Sequence, residues 1–276
     1  MRWRTFDTGE KLYRFSYTER GPRSRDPMML LHGFMGSSAD WADADSVPLI
    51  SGERHSIAVD LPGHGGTVVT GSDESFRMEN CAAGLIDLMD TLGLDRCDLV
   101  GYSMGGRLAL FLALEYSDRF RRVVLESASP GLKTLDERKA RIAHDEKLAR
   151  RLETQPLKDS LTDWFDQPLF ASMRSSRARF DALLRRRLEN DVSDLCRSLR
   201  MMGTGVQPSL WPRLDRLSLP LLLIVGGKDA KFQAIGRDMV ARGKGVAMDI
   251  VDGAGHNVHF EKPLAYAECV ERFLNA

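Results

Sequence analysis

Three residues far apart in the chain, Ser103, Asp229 and His256, have the types and the order of a nucleophile or base, an orienting acid and a proton acceptor. A serine hydroxyl is unreactive near neutral pH. An imidazole that takes its proton, held in one tautomer by a carboxylate, lets it attack a carbonyl or remove a proton beside one. Ser103 is flanked at two residues by glycines in Gly101-Tyr102-Ser103-Met104-Gly105, where the strand-like run Cys97-Asp98-Leu99-Val100 gives way to a helix-forming run from Arg107 to Ala113. A turn of this kind holds its serine in a strained conformation with the hydroxyl above the sheet, since side chains at the glycine positions would clash.

The pattern Gly-x-Ser-x-Gly also arises by chance in ordinary turns, so the elements around the other candidates matter. Met28-Met29-Leu30-Leu31 is a short apolar strand running into His32-Gly33-Phe34, a glycine turn suited to supply one backbone N–H of an oxyanion hole. The second N–H is that of Met104, at the start of the helix after Ser103. Leu221 to Val225 is a buried-type strand that ends on Gly226-Gly227-Lys228-Asp229, and Val251-Asp252-Gly253-Ala254-Gly255 presents His256. All three candidates thus lie just past the C-terminal ends of predicted strands, where open α/β sheets bind ligands. Asp249 and Asp252 are alternative acids, less suited because they precede His256 on its own strand. His32 is expected to shape the oxyanion turn and His64 to close the turn Asp60-Leu61-Pro62-Gly63; His55, His144 and His259 have no partner pattern and are expected in solvent. Gly63-His64-Gly65-Gly66 lacks the Gly-Lys-Ser/Thr ending of a phosphate loop and reads as a structural turn.

These segments imply strands over 28–32, 56–60, 97–102 and 122–127 and helices over 78–92 and 104–116, with the same alternation returning from about 219. The fold class is α/β, a mostly parallel central sheet with helices on both faces. Residues 1–130 and 212–276 form the core, and 131–211, rich in arginine and opening on the capping box Thr134-Leu135-Asp136-Glu137, form an inserted helical cap. The cap holds 16 basic residues against 12 acidic ones, an excess of four that the core balances, because Lys+Arg and Asp+Glu both number 39 in the whole chain. A zero net charge provides no global field for nucleic acid or an anionic membrane, and neither is expected as a partner. The N-terminus, Met1-Arg2-Trp3-Arg4-Thr5-Phe6-Asp7, has no apolar leader core, which implies a cytoplasmic protein. Cys81, Cys97, Cys196 and Cys269 are scattered among apolar neighbours, as reduced core thiols are; no metal or cofactor is expected, and oligomeric state is not legible.

The chain resembles the α/β-hydrolase superfamily over most of its length. Within it, the chain is similar to the 2-succinyl-6-hydroxy-2,4-cyclohexadiene-1-carboxylate synthases, lyases of menaquinone biosynthesis. The segments that carry the resemblance are Leu31 to Gly36 followed by Trp41, Val59 to Gly66, Val100 to Arg107, Trp164 to Ser172, Gly227 to Phe232 and Gly255 to His259. It departs before residue 28 and around 172–206. The resemblance implies a cofactor-free elimination of pyruvate from an enolpyruvyl cyclohexene carboxylate, with Ser103 as base. It also implies arginines for a small anionic substrate, at Arg107, Arg141 and Arg187, and a pocket wall that includes Tyr102 and Trp164. A hydrolase of carboxylic esters or of carbon–carbon bonds in vinylogous diketo acids would use the same triad with a water step, and a ligand-binding receptor is the alternative outside enzymes.

Overall fold

Met28–Leu31 shows in four residues why the sheet is buried on both sides. Met28 and Leu30 point into one apolar cluster, Met29 and Leu31 into another, and all four are at most 1% exposed. The computed structural model describes residues 12–23, 26–43 and 54–276; the N-terminal segment read above as lacking a leader core lies outside them. A two-stranded ribbon pairs β1 (Tyr13–Arg14) with β5 (Val68–Val69). The main sheet has seven strands in the order β2 (Tyr17–Arg20), β4 (Ser56–Val59), β3 (Met28–Leu31), β6 (Cys97–Tyr102), β7 (Phe120–Glu126), β8 (Leu221–Gly226), β9 (Val246–Val251). Only the edge strand β2 runs antiparallel to its neighbour; the other pairs are parallel.

The crossovers are helices, as parallel pairing requires. Side chains of α2 (Met78–Leu92), α3 (Met104–Glu115) and α8 (Ala230–Arg242) fill the cluster on one face, while Trp41 from α1 (Ala39–Asp43) and Tyr266 and Val270 from α10 (Pro263–Leu274) fill the other. The four cysteines are free and buried. Among the described residues no helix is long and apolar enough to cross a membrane.

Between β7 and β8 the described chain is helical: α4 (Leu135–Thr154), α5 (Leu157–Asp166), a 3-10 helix (Pro168–Ser175), α6 (Arg177–Arg187) and α7 (Val192–Met202), with a further 3-10 turn at Trp211–Arg216. The first of these starts on the capping box: Thr134 Oγ1 accepts the Glu137 N–H at 3.2 Å, and Glu137 Oε2 accepts the Thr134 N–H at 2.8 Å. Leu195, Leu199 and Met202 repeat along one side of α7 at helical spacing and are buried. Leu195 and Leu199 join Leu152, Phe165 and Leu183 in a separate small core. Met35, from a loop, and Phe260, from the short helix Val258–Glu261, rise into that core at the C-terminal edge of the sheet. The helical segment is therefore seated on the same edge that presents Ser103 and His256.

Candidate active site

The turn after β6 is strained as its sequence requires. Ser103 has φ 51° and ψ −106°, outside the conformations an ordinary residue adopts. A Cβ at Gly105 would lie 2.3 Å from the Leu31 carbonyl oxygen, and one at Gly101 would lie 2.5 Å from the Gly105 carbonyl oxygen. Both contacts are with main chain that cannot yield, so glycine is needed at each. The turn is held by bonds on either side of it: the Ser103 N–H donates to the Glu126 carbonyl at 2.9 Å, and the Gly105 N–H donates to the His32 carbonyl at 3.0 Å.

Asp229 and His256 arrive from the two neighbouring strand ends. His256 Nδ1 lies 2.8 Å from Asp229 Oδ2, and His256 Nε2 lies 3.2 Å from Ser103 Oγ. The second carboxylate oxygen of Asp229 caps α8, accepting the Phe232 N–H at 3.2 Å, which fixes the plane of the carboxylate toward the imidazole. Asp229 and His256 are buried, with Ser103 more open. The rings of Phe232, Tyr102 and Phe170 surround the His256 ring at centroid distances of 4.7, 5.6 and 5.8 Å. Such an arrangement can pass a proton from a serine hydroxyl to a tautomerically fixed imidazole. The alternative acids stand apart: Asp249 is bonded to Arg272, and Asp252 is exposed.

A cavity of about 160 Å³ opens over Ser103 and His256. Its wall includes Phe34 and Met104, the two residues whose N–H groups are candidate oxyanion donors, and Trp164. Three cations also line it: Arg107, Arg141 and Lys231. Arg107 follows Ser103 by one helical turn and is buried, its Nη1 donating to the Met202 carbonyl at 3.0 Å and to Gln207 Oε1. Burial first, and then the charge of Arg141, pull its pKa well below the usual arginine value, with Asp145 acting in the other direction. Arg141 is paired with Asp145 at 2.7 Å and remains a third exposed. The guanidinium groups of Arg107 and Arg141 thus share one wall with the Asp145 carboxylate nearby, a place for a ligand that brings negative charge. Among the described residues no three His, Cys, Asp or Glu side chains come together as metal ligands would.

Two expected wall residues sit elsewhere. Arg187 is 5% exposed and not on the cavity wall; both its η nitrogens are held by Asp40, at 2.8 and 2.6 Å, so its charge is used to pin α6 to α1. Tyr102 lies beneath the site rather than on its wall, with its ring where a Gly33 Cβ would be and close to both His256 and His259. The histidines expected in solvent divide. His144 is exposed, whereas His55 is buried against Glu19 at 2.7 Å, and His259 is buried against Glu126 at 2.6 Å. Their partners lie far off in sequence, which no local pattern reveals. His32 Nδ1 donates to the Gly33 carbonyl while Nε2 accepts the Leu61 N–H at 2.9 Å, a neutral ring stapling two turns together; burial lowers its pKa accordingly. His64 bonds the Pro62 carbonyl at 3.2 Å. Lys231 was not singled out by sequence, although it falls in the first turn of the helix that begins after Asp229, and that position was the available signal.

The geometry has counterparts. The profile of the Alpha/beta hydrolase family matches residues 28–269. A Serratia proteamaculans protein named 2-succinyl-6-hydroxy-2,4-cyclohexadiene-1-carboxylate synthase is 35% identical over 258 residues, covering 93% of this chain and 96% of its own. A Bacillus subtilis protein provisionally given the same name is 37% identical over 264 residues, 95% of each chain. Among solved structures, that of MenH from S. aureus superposes with a TM-score of 0.88 at 28% identity, covering 94% of this chain and 97% of that one.

Proposed function

This chain belongs to the α/β-hydrolase family and, within it, to the family of the 2-succinyl-6-hydroxy-2,4-cyclohexadiene-1-carboxylate synthases, and on that premise we propose that it eliminates pyruvate from an enolpyruvyl-bearing, succinylated hydroxy-cyclohexene carboxylate. Ser103 is the base, made so by His256 and Asp229. It removes the ring proton beside the succinyl ketone, and the proton passes to His256 Nε2. The enolate oxygen is held by the N–H groups of Phe34 and Met104, whose residues flank Ser103 in the cavity. As the enolate collapses, the bond from the ring to the enolpyruvyl oxygen breaks, the ring is left with two conjugated double bonds, and the released enolate takes the proton from His256 at its methylene carbon to become pyruvate. No acyl-enzyme forms and no water is consumed.

The observation that carries this reading is the charge of the wall. A substrate with three carboxylates would meet Arg107, Arg141 and Lys231, all lining the cavity that holds Ser103 and His256. The test uses purified protein and the enolpyruvyl cyclohexene substrate, with pyruvate release and diene absorbance followed together. Equal yields of both, lost in Ser103→Ala, are expected. A serine-dependent hydrolysis that incorporates solvent oxygen, without pyruvate, would instead assign the triad to a hydrolase.

A further inference from the structure

Glu126 takes no part in the proton transfers above, yet it is bonded to Ser103 and to His259, three residues after His256. It ends β7 and is fully buried. Its carbonyl accepts the Ser103 N–H at 2.9 Å. Its carboxylate accepts the His259 N–H at 3.0 Å through Oε1 and the His259 Nδ1–H at 2.6 Å through Oε2. His259 lies three residues after His256, in the short helix α9 (Val258–Glu261) that Asn257 caps through the Phe260 N–H. The His259 ring stacks on Trp41 at 4.5 Å and meets the edge of Tyr102 at 5.1 Å. One residue of the strand between them therefore ties the segment carrying the nucleophile to the segment carrying its proton acceptor.

Burying a carboxylate away from water is costly, and an apolar pair of similar shape would hold these segments together without that cost, though without direction. Hydrogen bonds from one carboxylate to both a main-chain and a ring N–H fix distance and orientation together. We propose that Glu126 is a positioning residue that, through His259, sets the separation between Ser103 Oγ and His256 Nε2, 3.2 Å here. The role rests on the assignment of Ser103 and His256 in the preceding section but not on the substrate named there.

The test is the rate at which a biotinylated fluorophosphonate labels Ser103, a reaction that requires the serine–histidine geometry and no particular substrate. Wild type, Glu126→Gln, His259→Ala and His259→Gln are compared, with Ser103→Ala as the blank and thermal melting as the check on folding. The first two variants should label at least ten times more slowly while folded, and should lose kcat on the cyclohexene substrate with KM unchanged. His259→Gln, whose amide can donate to Glu126 in place of Nδ1–H, should recover to within a few-fold of wild type. Labelling of Glu126→Gln or His259→Ala at the wild-type rate, whatever their melting temperatures, would reduce the pair to a structural contact and overturn the proposal. Should Glu126→Gln fail to fold, the comparison of His259→Ala with His259→Gln decides alone. A wild type that does not label overturns the Ser103 assignment and the positioning role with it. Slowed labelling in the variants, from a wild type that releases no pyruvate, would support the positioning role and reject the substrate.

Discussion

At the scale of single residues, the site joins a reaction-neutral Ser103–His256–Asp229 arrangement to a charged wall, and under the proposed function it is the wall that would select the substrate. Arg107 is the clearest instance, because its burial and the neighbouring Arg141 both disfavour its charge and, among the described residues, Asp145 alone offsets them. A bound carboxylate would supply the missing partner. Replacing Arg107 by alanine should therefore cost about 2–5 kcal/mol in kcat/KM, a loss of roughly thirty-fold or more, with melting temperature little changed. Turnover near the wild-type rate at low substrate would dismiss the clamp. The position of Arg107 was legible through the resemblance, in keeping with its place one helical turn after Ser103. That of Arg187 was not: in the run Arg185-Arg186-Arg187 each residue points some 100° from the last, and the carboxylate that captures Arg187 belongs to Asp40, 147 residues away.

At the scale of elements, polar bonds join the helical segment to the sheet edge, and Asp40–Arg187 is an ion pair among them that is buried on both sides. Asn190 adds two more, donating to the Met35 carbonyl at 2.9 Å and accepting the Gly65 N–H at 3.1 Å. Burial by itself would raise the Asp40 pKa, but Arg187, with help from His32 and Arg186, outweighs it and holds the carboxyl below its ordinary value. A folded-state pKa lower than the unfolded one means that this stabilisation is complete above the ordinary carboxylate range. It is lost as pH falls through the lowered folded value. Asp40→Asn should cost about 3–5 kcal/mol at neutral pH, because it leaves a buried guanidinium unmatched, and should lower the melting temperature by roughly 10 °C. The variant should also lose less stability than wild type on acidification below about pH 4; parallel acid melting curves for the two proteins would show that Asp40 is not the linked group.

At the scale of the whole molecule, balanced charge and a cationic cavity make opposite predictions about salt, and the cavity should prevail at short range. With no net charge there is little long-range field to steer an anion, but partly exposed cations on the wall feel screening once the Debye length falls to about 10 Å or less. Raising ionic strength from about 0.05 to 0.5 M should raise KM several-fold and leave kcat nearly constant; a KM indifferent to salt would point to an uncharged substrate. The order Ser103, Asp229, His256, the glycines at 101 and 105, the doubly buried strands and the capping box at Thr134 were all determined by the sequence. Each is a local matter of sterics, periodicity or main-chain bonding. Which cations face the cavity, that Tyr102 lies beneath it, and that Glu126 binds His259 across 133 residues were decided only by the tertiary structure. Contacts between elements far apart in the chain are set by how the sheet and the helices above it pack, and that packing leaves no trace in the spacing of residues along any one of them.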